Sequence, residues 1–181
     1  DNKFILIEAS EKAKTYNEIE LIIYQIVEMG FRKNNKLIAI GGGITQDITS
    51  FIAFIIYRGV DWIFFPTNLL SQCDSCIGSK LSVNLKKYKN LVGGFYPPRK
   101  IFIDTQFLRS LSQKEIISGL GEMLHYFLVN SKKDMEFFKK KIKIVKKDIA
   151  IIDEMIHRSL FIKKEMIELD EFDKGPRNIF N

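Results

Sequence analysis

From Asp74 to Asn90 the chain reads Asp-Ser-Cys-Ile-Gly-Ser-Lys-Leu-Ser-Val-Asn-Leu-Lys-Lys-Tyr-Lys-Asn, so that Lys80, Lys86, Lys87 and Lys89 are interleaved with Gly78, Ser79, Ser82, Asn84 and Asn90. Small residues let backbone approach an anion, and Lys80 and Lys89 can supply the opposing charge; this is the chemistry of a phosphate and cofactor pocket rather than of a solvated helical face. Upstream, Gly41-Gly42-Gly43 precedes Ile44, Thr45, Gln46 and Asp47. A triple glycine between a strand and a helix either admits a pyrophosphate to the helix N-terminus or makes a tight turn, and it is not the G-x-G-x-x-G fingerprint. Asp47 either caps that helix or binds a ligand hydroxyl. Glu122 and His125 stand three apart on one predicted helix and share a face, so they either ligate a metal or form a surface pair. His157 lies on a basic helix and is a poor further ligand. Cys73 and Cys76 form a lone C-x-x-C with both histidines distant in sequence, and read as two reduced thiols.

These groups need elements to hold them. Lys3 to Ile7 reads as a strand, Asn17 to Met29 as a helix ending at Gly30, and Lys36 to Ile40 as a strand running into the triple glycine. A helix then extends through Tyr57, and Trp62 to Phe65 and Lys100 to Asp104 read as further strands. This alternation implies an α/β fold, a Rossmann-like N-terminal domain with a parallel-rich, incomplete sheet whose binding edge lies where strands end and helices begin. From Ser112 the pattern turns helical. Ser112 with Glu115 makes a capping box for a helix to about Val129, and further helices are expected over Lys133 to Lys146 and Lys147 to Leu169, before Gly175 and Pro176 break the pattern. The boundary falls near 110: residues 1–110 form the α/β domain, and 111–181 the first helices of an all-α C-terminal domain.

Composition bounds the partners. The 181 residues suffice for one domain, or one and part of a second. The net charge of +6 is concentrated in a Lys-rich stretch, 132–147, mixed with acidic residues, which reads as a solvated helix rather than a nucleic-acid face. Arg58 and Asp61 interrupt the apolar stretch from Phe51 to Phe65, which keeps it short of the roughly 18 residues a membrane span needs. With no secretory pattern at the N-terminus, the expectation is a cytoplasmic protein with neither nucleic-acid nor membrane partners.

Taken in order, Gly41-Gly42-Gly43-x-x-x-Asp47, Tyr57-Arg58-Gly59, Pro66-Thr67, Asp74-Ser75 with Gly78 and Lys80, Val83-Asn84, Lys89-Asn90, Phe95-Tyr96, Asp104, Gly119-x-x-Glu122, and then Lys163, Glu165, Asp170, Gly175, Arg177 and Asn181 resemble the 3-dehydroquinate synthase family and the wider sugar phosphate cyclases. The resemblance covers nearly the whole chain. It implies NAD bound between an α/β domain and a helical domain, a divalent metal (zinc or cobalt), and a homodimer. The implied reaction converts 3-deoxy-D-arabino-heptulosonate 7-phosphate into 3-dehydroquinate and phosphate in the shikimate pathway of aromatic amino acid biosynthesis: transient oxidation by NAD, phosphate elimination, re-reduction and aldol closure, by a carbon-oxygen lyase.

Position by position, the resemblance assigns Glu11, Lys14, Gly42, Gly43, Ile44, Thr45, Gln46, Asp47, Thr67, Asn68, Lys80, Lys89, Phe107, Leu108, Arg109 and Ser110 to the cofactor. It assigns Asp74, Lys80, Asn90, Lys163, Arg177 and Asn181 to the substrate site, Arg58 to the phosphate in the partner subunit, and Glu122 to the metal. His125 stands where the family usually has an active-site lysine, Asp173 replaces a glutamate, Asn68 replaces the second threonine of a pair, and Ala9-Ser10 replaces Asp-Gly. Two metal-binding histidines are expected beyond Asn181, so the sequence reads as a family member truncated at both ends and inactive by itself. Another cyclase, of the 2-deoxy-scyllo-inosose or valiolone type, and a non-catalytic NAD-binding module are the alternative readings.

Overall fold

The apolar run ahead of the triple glycine is strand β1 (Leu37–Gly41), and the run after it is helix α2 (Gly43–Ile55), preceded in the chain by helix α1 (Tyr16–Glu28). In this computed structural model residues 3–145, 148–175 and 177 are described. They gather into two compact units, Asp1–Phe65 with Ser79–Phe102, and Pro66–Gly78 with Ile103–Asn181.

The first unit holds a three-stranded sheet in the order β1, β2 (Trp62–Pro66), β5 (Lys100–Ile101). Strands β2 and β5 run parallel, with Ile63 opposite Lys100 and Phe64 opposite Ile101. Trp62 and Phe64 are fully buried at alternate positions of β2, as the two-residue period of a strand requires. Helix α2 buries Ile48, Phe51, Ile52 and Ala53, and α1 buries Ile19 and Ile26 at a spacing of two helical turns. Helix α2 stops short of Tyr57. A 3₁₀ turn over Ile56–Arg58 follows, with Tyr57 at φ 50° and Arg58 at φ 61°.

Two expectations fail in this unit. Residues 3–7 form no strand: among the described residues none pairs with them, and Phe4 and Leu6 are largely exposed. The run from Lys80 onward, read as a pocket lining with no element assigned to it, is an antiparallel hairpin, β3 (Lys80–Leu85) and β4 (Tyr88–Phe95). Leu81 and Val83 face inward on β3. Gly93 lets the strands close, because a Cβ there would lie 2.0 Å from the Leu81 carbonyl oxygen. The expected strand from Lys100 to Asp104 shrinks to the two residues of β5, and Asp104 instead caps a 3₁₀ turn, Thr105–Ser110, by accepting from the Gln106 N–H.

The second unit is helical: α3 (Gln113–Asn130), α4 (Lys132–Ile142) and α5 (Ile149–Leu169). The Ser112–Glu115 capping box forms as read. Met123, Phe127, Ile152, Met155, Ile156 and Ile162 build the core, joined by Leu69, Cys73 and Leu108. Gly119 is required where α3 meets Leu69, since a Cβ would fall 2.5 Å from Leu69 Cγ. Residues 66–78 thus belong with the helices.

Candidate functional site

In the first unit the polar residues of three segments meet. Lys14, 5% exposed, places its ammonium 2.5 Å from the Asp47 carboxylate and donates to Asn90 Oδ1 at 2.7 Å. Ser82 donates to the same Asn90 oxygen at 3.1 Å. Asn84 donates to Glu11 Oε2 at 2.9 Å, and Lys89 lies 3.7 Å from that carboxylate. The bond from Asn84 leads the lysines in holding Glu11 below the usual carboxylate range. Burial pushes Asp47 up, opposed by Lys14.

Asp47 does not cap α2. Gly42 is the N-cap and gives no side-chain bond, and the first turn carries no acidic residue, so the positive helix end stays open to an anion. Gly41 is needed because a Cβ would sit 2.4 Å from Thr45 Oγ1, whereas beside Gly43 there is open space. That space, together with the uncapped helix end, fits the pyrophosphate of a dinucleotide. Ile44, Thr45 and Asp47 are half-buried in the same helix and Gln46 is buried.

In the second unit Asp74, Lys163 and Arg177 converge, although about a hundred residues separate the first from the other two. Helix residues after Leu69 change to a π-turn over Ser71–Ser75, closed by the Cys76 N–H on Ser71 O at 3.0 Å, and Asp74 projects from it. Lys163 Nζ lies 2.6 Å from Asp74 Oδ1 and donates to the Asp74 carbonyl at 2.7 Å. The Tyr126 hydroxyl donates to the same Oδ1. Arg177, 6% exposed, donates to Glu171 O at 2.8 Å and to Gly78 O at 3.4 Å. Gly78 has φ 115°, and a Cβ on it would meet Arg177 Nη2 at 2.6 Å, so this glycine lets the Arg177 guanidinium approach the backbone, with Lys163 Cε alongside at ordinary contact distance, 3.5 Å.

Burial, then Asp74, push the Glu122 carboxyl up, with His125 and Lys163 opposing. The same two causes, burial first, raise Tyr126 far above the phenol range, so its proton stays in place as a donor. A carboxylate half-buried among other acids is a position where a cation is favoured, which suits Glu122 as one metal donor. Among the described residues, however, no group of three His, Cys, Asp or Glu converges. His157 is exposed beside Asp153.

The remaining expected site residues scatter. Lys80 opens β3 with an exposed side chain, and Arg58 is exposed on its turn. Thr67 is half-buried. The Asn68 carboxamide oxygen accepts from Ser71 N–H at 2.8 Å and so caps the helix that carries Asp74. Of the 107–110 segment, Leu108 is buried in the helical core while Phe107, Arg109 and Ser110 are exposed. Asn181 lies outside the described residues. Cys73 and Cys76 are free and buried, and burial raises the Cys76 thiol to about 12, which agrees with two inert thiols. One participant escaped the sequence reading, Tyr126, four residues after Glu122 on α3, and another, Asn84 in β3, was quoted among the motifs without a role. No helix among the described residues is long and apolar enough to cross a membrane.

The family profile described as 3-dehydroquinate synthase N-terminal matches residues 4–118. A 3-dehydroquinate synthase of Pelagibacter ubique (strain HTCC1062) is 43% identical over 174 residues, which make up 96% of this chain and 47% of that protein. The chain spans about half the length of the curated relatives it matches. A 2-deoxy-scyllo-inosose synthase, solved with carbaglucose-6-phosphate, NAD+ and Co2+, is similar with TM-score 0.86 and 26% identity over 95% of this chain and 47% of that one. The 2-epi-5-epi-valiolone synthase of Streptomyces hygroscopicus subsp. jinggangensis 5008, solved with NAD+ and Zn2+, shares the fold with TM-score 0.89 at 23% identity, over 96% of this chain and 49% of that one. The Rossmann-like α/β unit and the following helices are the fold class expected from the sequence.

Proposed function

Because the chain belongs to the 3-dehydroquinate synthase family, we propose that its residues serve the conversion of 3-deoxy-D-arabino-heptulosonate 7-phosphate into 3-dehydroquinate and phosphate. The observation that carries this reading is the convergence of Asp74, Lys163 and Arg177 around Gly78. A polyhydroxylated acid phosphate needs acceptors for its hydroxyls and cations for its carboxylate and phosphate, and this cluster offers both. Asp74, oriented by Lys163 and Tyr126, accepts from substrate hydroxyls. Arg177 suits the carboxylate. The family resemblance assigns Lys80, Asn90 and Asn181 to the substrate as well, and His125 stands on α3 beside Tyr126.

The first unit then holds NAD: the pyrophosphate at the α2 N-terminus, the adenosine part toward Glu11, Lys14 and Lys89, with Thr67 and residues 107–110 as further contacts. In domain terms, residues 1–110 are taken as the cofactor domain and 111–181 as the metal and substrate domain, with the 66–78 segment, which belongs with the helices, carrying Asp74 on the substrate side. NAD, when bound, supplies reversible oxidation of a ring hydroxyl. A divalent metal, zinc or cobalt, would be held in part by Glu122 and would polarise an oxygen of the substrate. The 181 residues contain two histidines, 125 and 157, and the second is remote from Glu122 in sequence; we therefore expect these residues alone to give no turnover. Arg58 would reach the site of the partner in a homodimer, and the chemistry is that of a cytoplasmic biosynthetic lyase.

A second reading is supported by the similarity to a 2-deoxy-scyllo-inosose synthase and by His125: a cyclase acting on a different sugar phosphate. Phosphate release measured on the full-length protein with the heptulosonate phosphate, glucose 6-phosphate and sedoheptulose 7-phosphate separates the two. Turnover of the first substrate is expected. Release from one of the other two alone would transfer the assignment.

A further inference from the structure

The hairpin register has an irregularity, and beside it stands Asn84, which is bonded to Glu11, Lys14 and Asn90. The β3–β4 register runs regularly from Lys80 opposite Phe95 to Val83 opposite Val92, then shifts between Val83 and Leu85. Between those pairs β3 supplies the single residue Asn84 and β4 the three residues 89–91, so the bulge lies on β4 and Asn84 stands opposite it, outside the regular ladder. Its backbone N–H donates to the Lys14 carbonyl at 2.8 Å, and Thr15 forms an isolated parallel bridge with it. Its side-chain nitrogen donates to Glu11 O at 3.3 Å and to Glu11 Oε2 at 2.9 Å. Its side-chain oxygen accepts from the Asn90 N–H at 2.9 Å, and Asn90 is held at φ 54°. At 5% exposure Asn84 itself presents little to a ligand.

We propose that Asn84 is a positioning residue for the nucleotide site: opposite the bulge of β4, its carboxamide fixes the Glu11 carboxylate and the left-handed conformation of Asn90, while its backbone N–H holds the Lys14 carbonyl. The inference rests on the reading of Glu11, Lys14 and Lys89 as cofactor contacts. A carboxamide is the required chemistry because the hub must donate to a carboxylate on one side and accept from an N–H on the other. Aspartate has nearly the same shape and keeps the acceptor, but it sets a second carboxylate against Glu11 Oε2, which at 2.9 Å costs both the bond and a like-charge repulsion. Alanine removes both arms and adds no charge.

The test is NAD+ titration by calorimetry on the full-length protein, with thermal unfolding followed in parallel. Asn84→Asp is expected to weaken NAD+ binding about tenfold or more while the unfolding temperature moves by only a few degrees. Adding Glu11→Gln to Asn84→Asp restores a donor facing an acceptor, and is expected to recover part of the affinity lost in Asn84→Asp alone. Asn84→Ala is expected to weaken binding less than Asn84→Asp. Unchanged affinity in Asn84→Asp overturns the inference. So does failure of both Asn84→Asp and Asn84→Ala to fold, since Asn84 would then hold the fold rather than the site. Absence of NAD+ binding in the unsubstituted protein is a different result: it removes the cofactor reading itself.

Discussion

Lys163→Met is the substitution whose effect the geometry specifies most closely. Methionine keeps the apolar stem of Lys163 and removes the ammonium, so no large cavity opens. What is lost is the 2.6 Å ion pair with Asp74 Oδ1 and the 2.7 Å bond to Asp74 O. The side chains are 9% and 18% exposed, so water gives little compensation. Stranding one member of a buried pair costs about 3–5 kcal/mol. The Tyr126 hydroxyl still donates to the same oxygen, and a hydrogen bond to a charged group contributes about 1.5–3 kcal/mol, so part of the penalty is absorbed. We expect a net loss of about 2–3 kcal/mol, equivalent to a fall of roughly 5–10 °C in the unfolding temperature of a chain this size.

Urea unfolding followed by circular dichroism at 222 nm, on Lys163→Met, Asp74→Asn and the double variant, measures this directly. Neutralising Asp74 as well removes the stranded charge, so the double variant is expected to be more stable than Lys163→Met alone, with a coupling of at least about 1 kcal/mol. A single-variant loss below about 0.5 kcal/mol, or strictly additive effects, would refute the reasoning that this pair is desolvated and mutually dependent.

Gly93→Ala is expected to lower the unfolding temperature by well over the effect of an ordinary surface change, because the new Cβ would lie 2.0 Å from the Leu81 carbonyl oxygen and 2.9 Å from Ser82 Cα, both backbone atoms; a differential scan with less than about 2 °C of change would contradict the hairpin register. The buried Asp134 accepts from Arg158 at 2.6 and 3.0 Å and from Asn130 at 2.7 Å, with Ser131 also bonded to it, and the guanidinium holds its carboxyl well below the usual range. A folded-state value below the unfolded one contributes stability above about pH 4 and loses it as pH falls through the lower value; Asp134→Asn is therefore expected to lower stability at pH 7 and to flatten its decline below pH 4 in acid titrations.

Local signals in the sequence located elements wherever one segment suffices to define them. The Ser112–Glu115 box marked the start of α3 because both partners lie within one turn. The triple glycine marked the β1–α2 junction because a Cβ at Gly41 would collide with Thr45, four residues on. Strands depended on partners that the sequence does not name. Residues 3–7 are as apolar as β1 yet pair with nothing described, and Lys100 to Asp104 pairs over two residues only. The hairpin was hidden for a different reason. Lys86, Lys87, Lys89 and Asn90 outweighed the two-residue alternation of Leu81 and Val83, and Gly93, present for close strand approach, gives no strand signal in the sequence.

The same distinction governs the site. Read as a string, Lys14 and Lys163 are cations in search of a phosphate. Folded, they are committed to Asp47 and Asp74, at 2.5 and 2.6 Å. A lysine bound in this way acts first on its aspartate, fixing which oxygen faces outward and stabilising its charge, and only second on a ligand. The partners that complete the arrangement are neutral: Asn84 and Asn90 around Lys14, Tyr126 beside Lys163. Neutral donors carry no compositional signal, which is why Tyr126, four residues from Glu122, was missed and Asn84 was quoted without a role. The anion-binding capacity of the chain therefore rests less on its net charge of +6 than on groups that direct charge without being neutralised by it: the uncapped start of α2 and the Arg177 guanidinium, whose bonds run to backbone carbonyls rather than to a carboxylate.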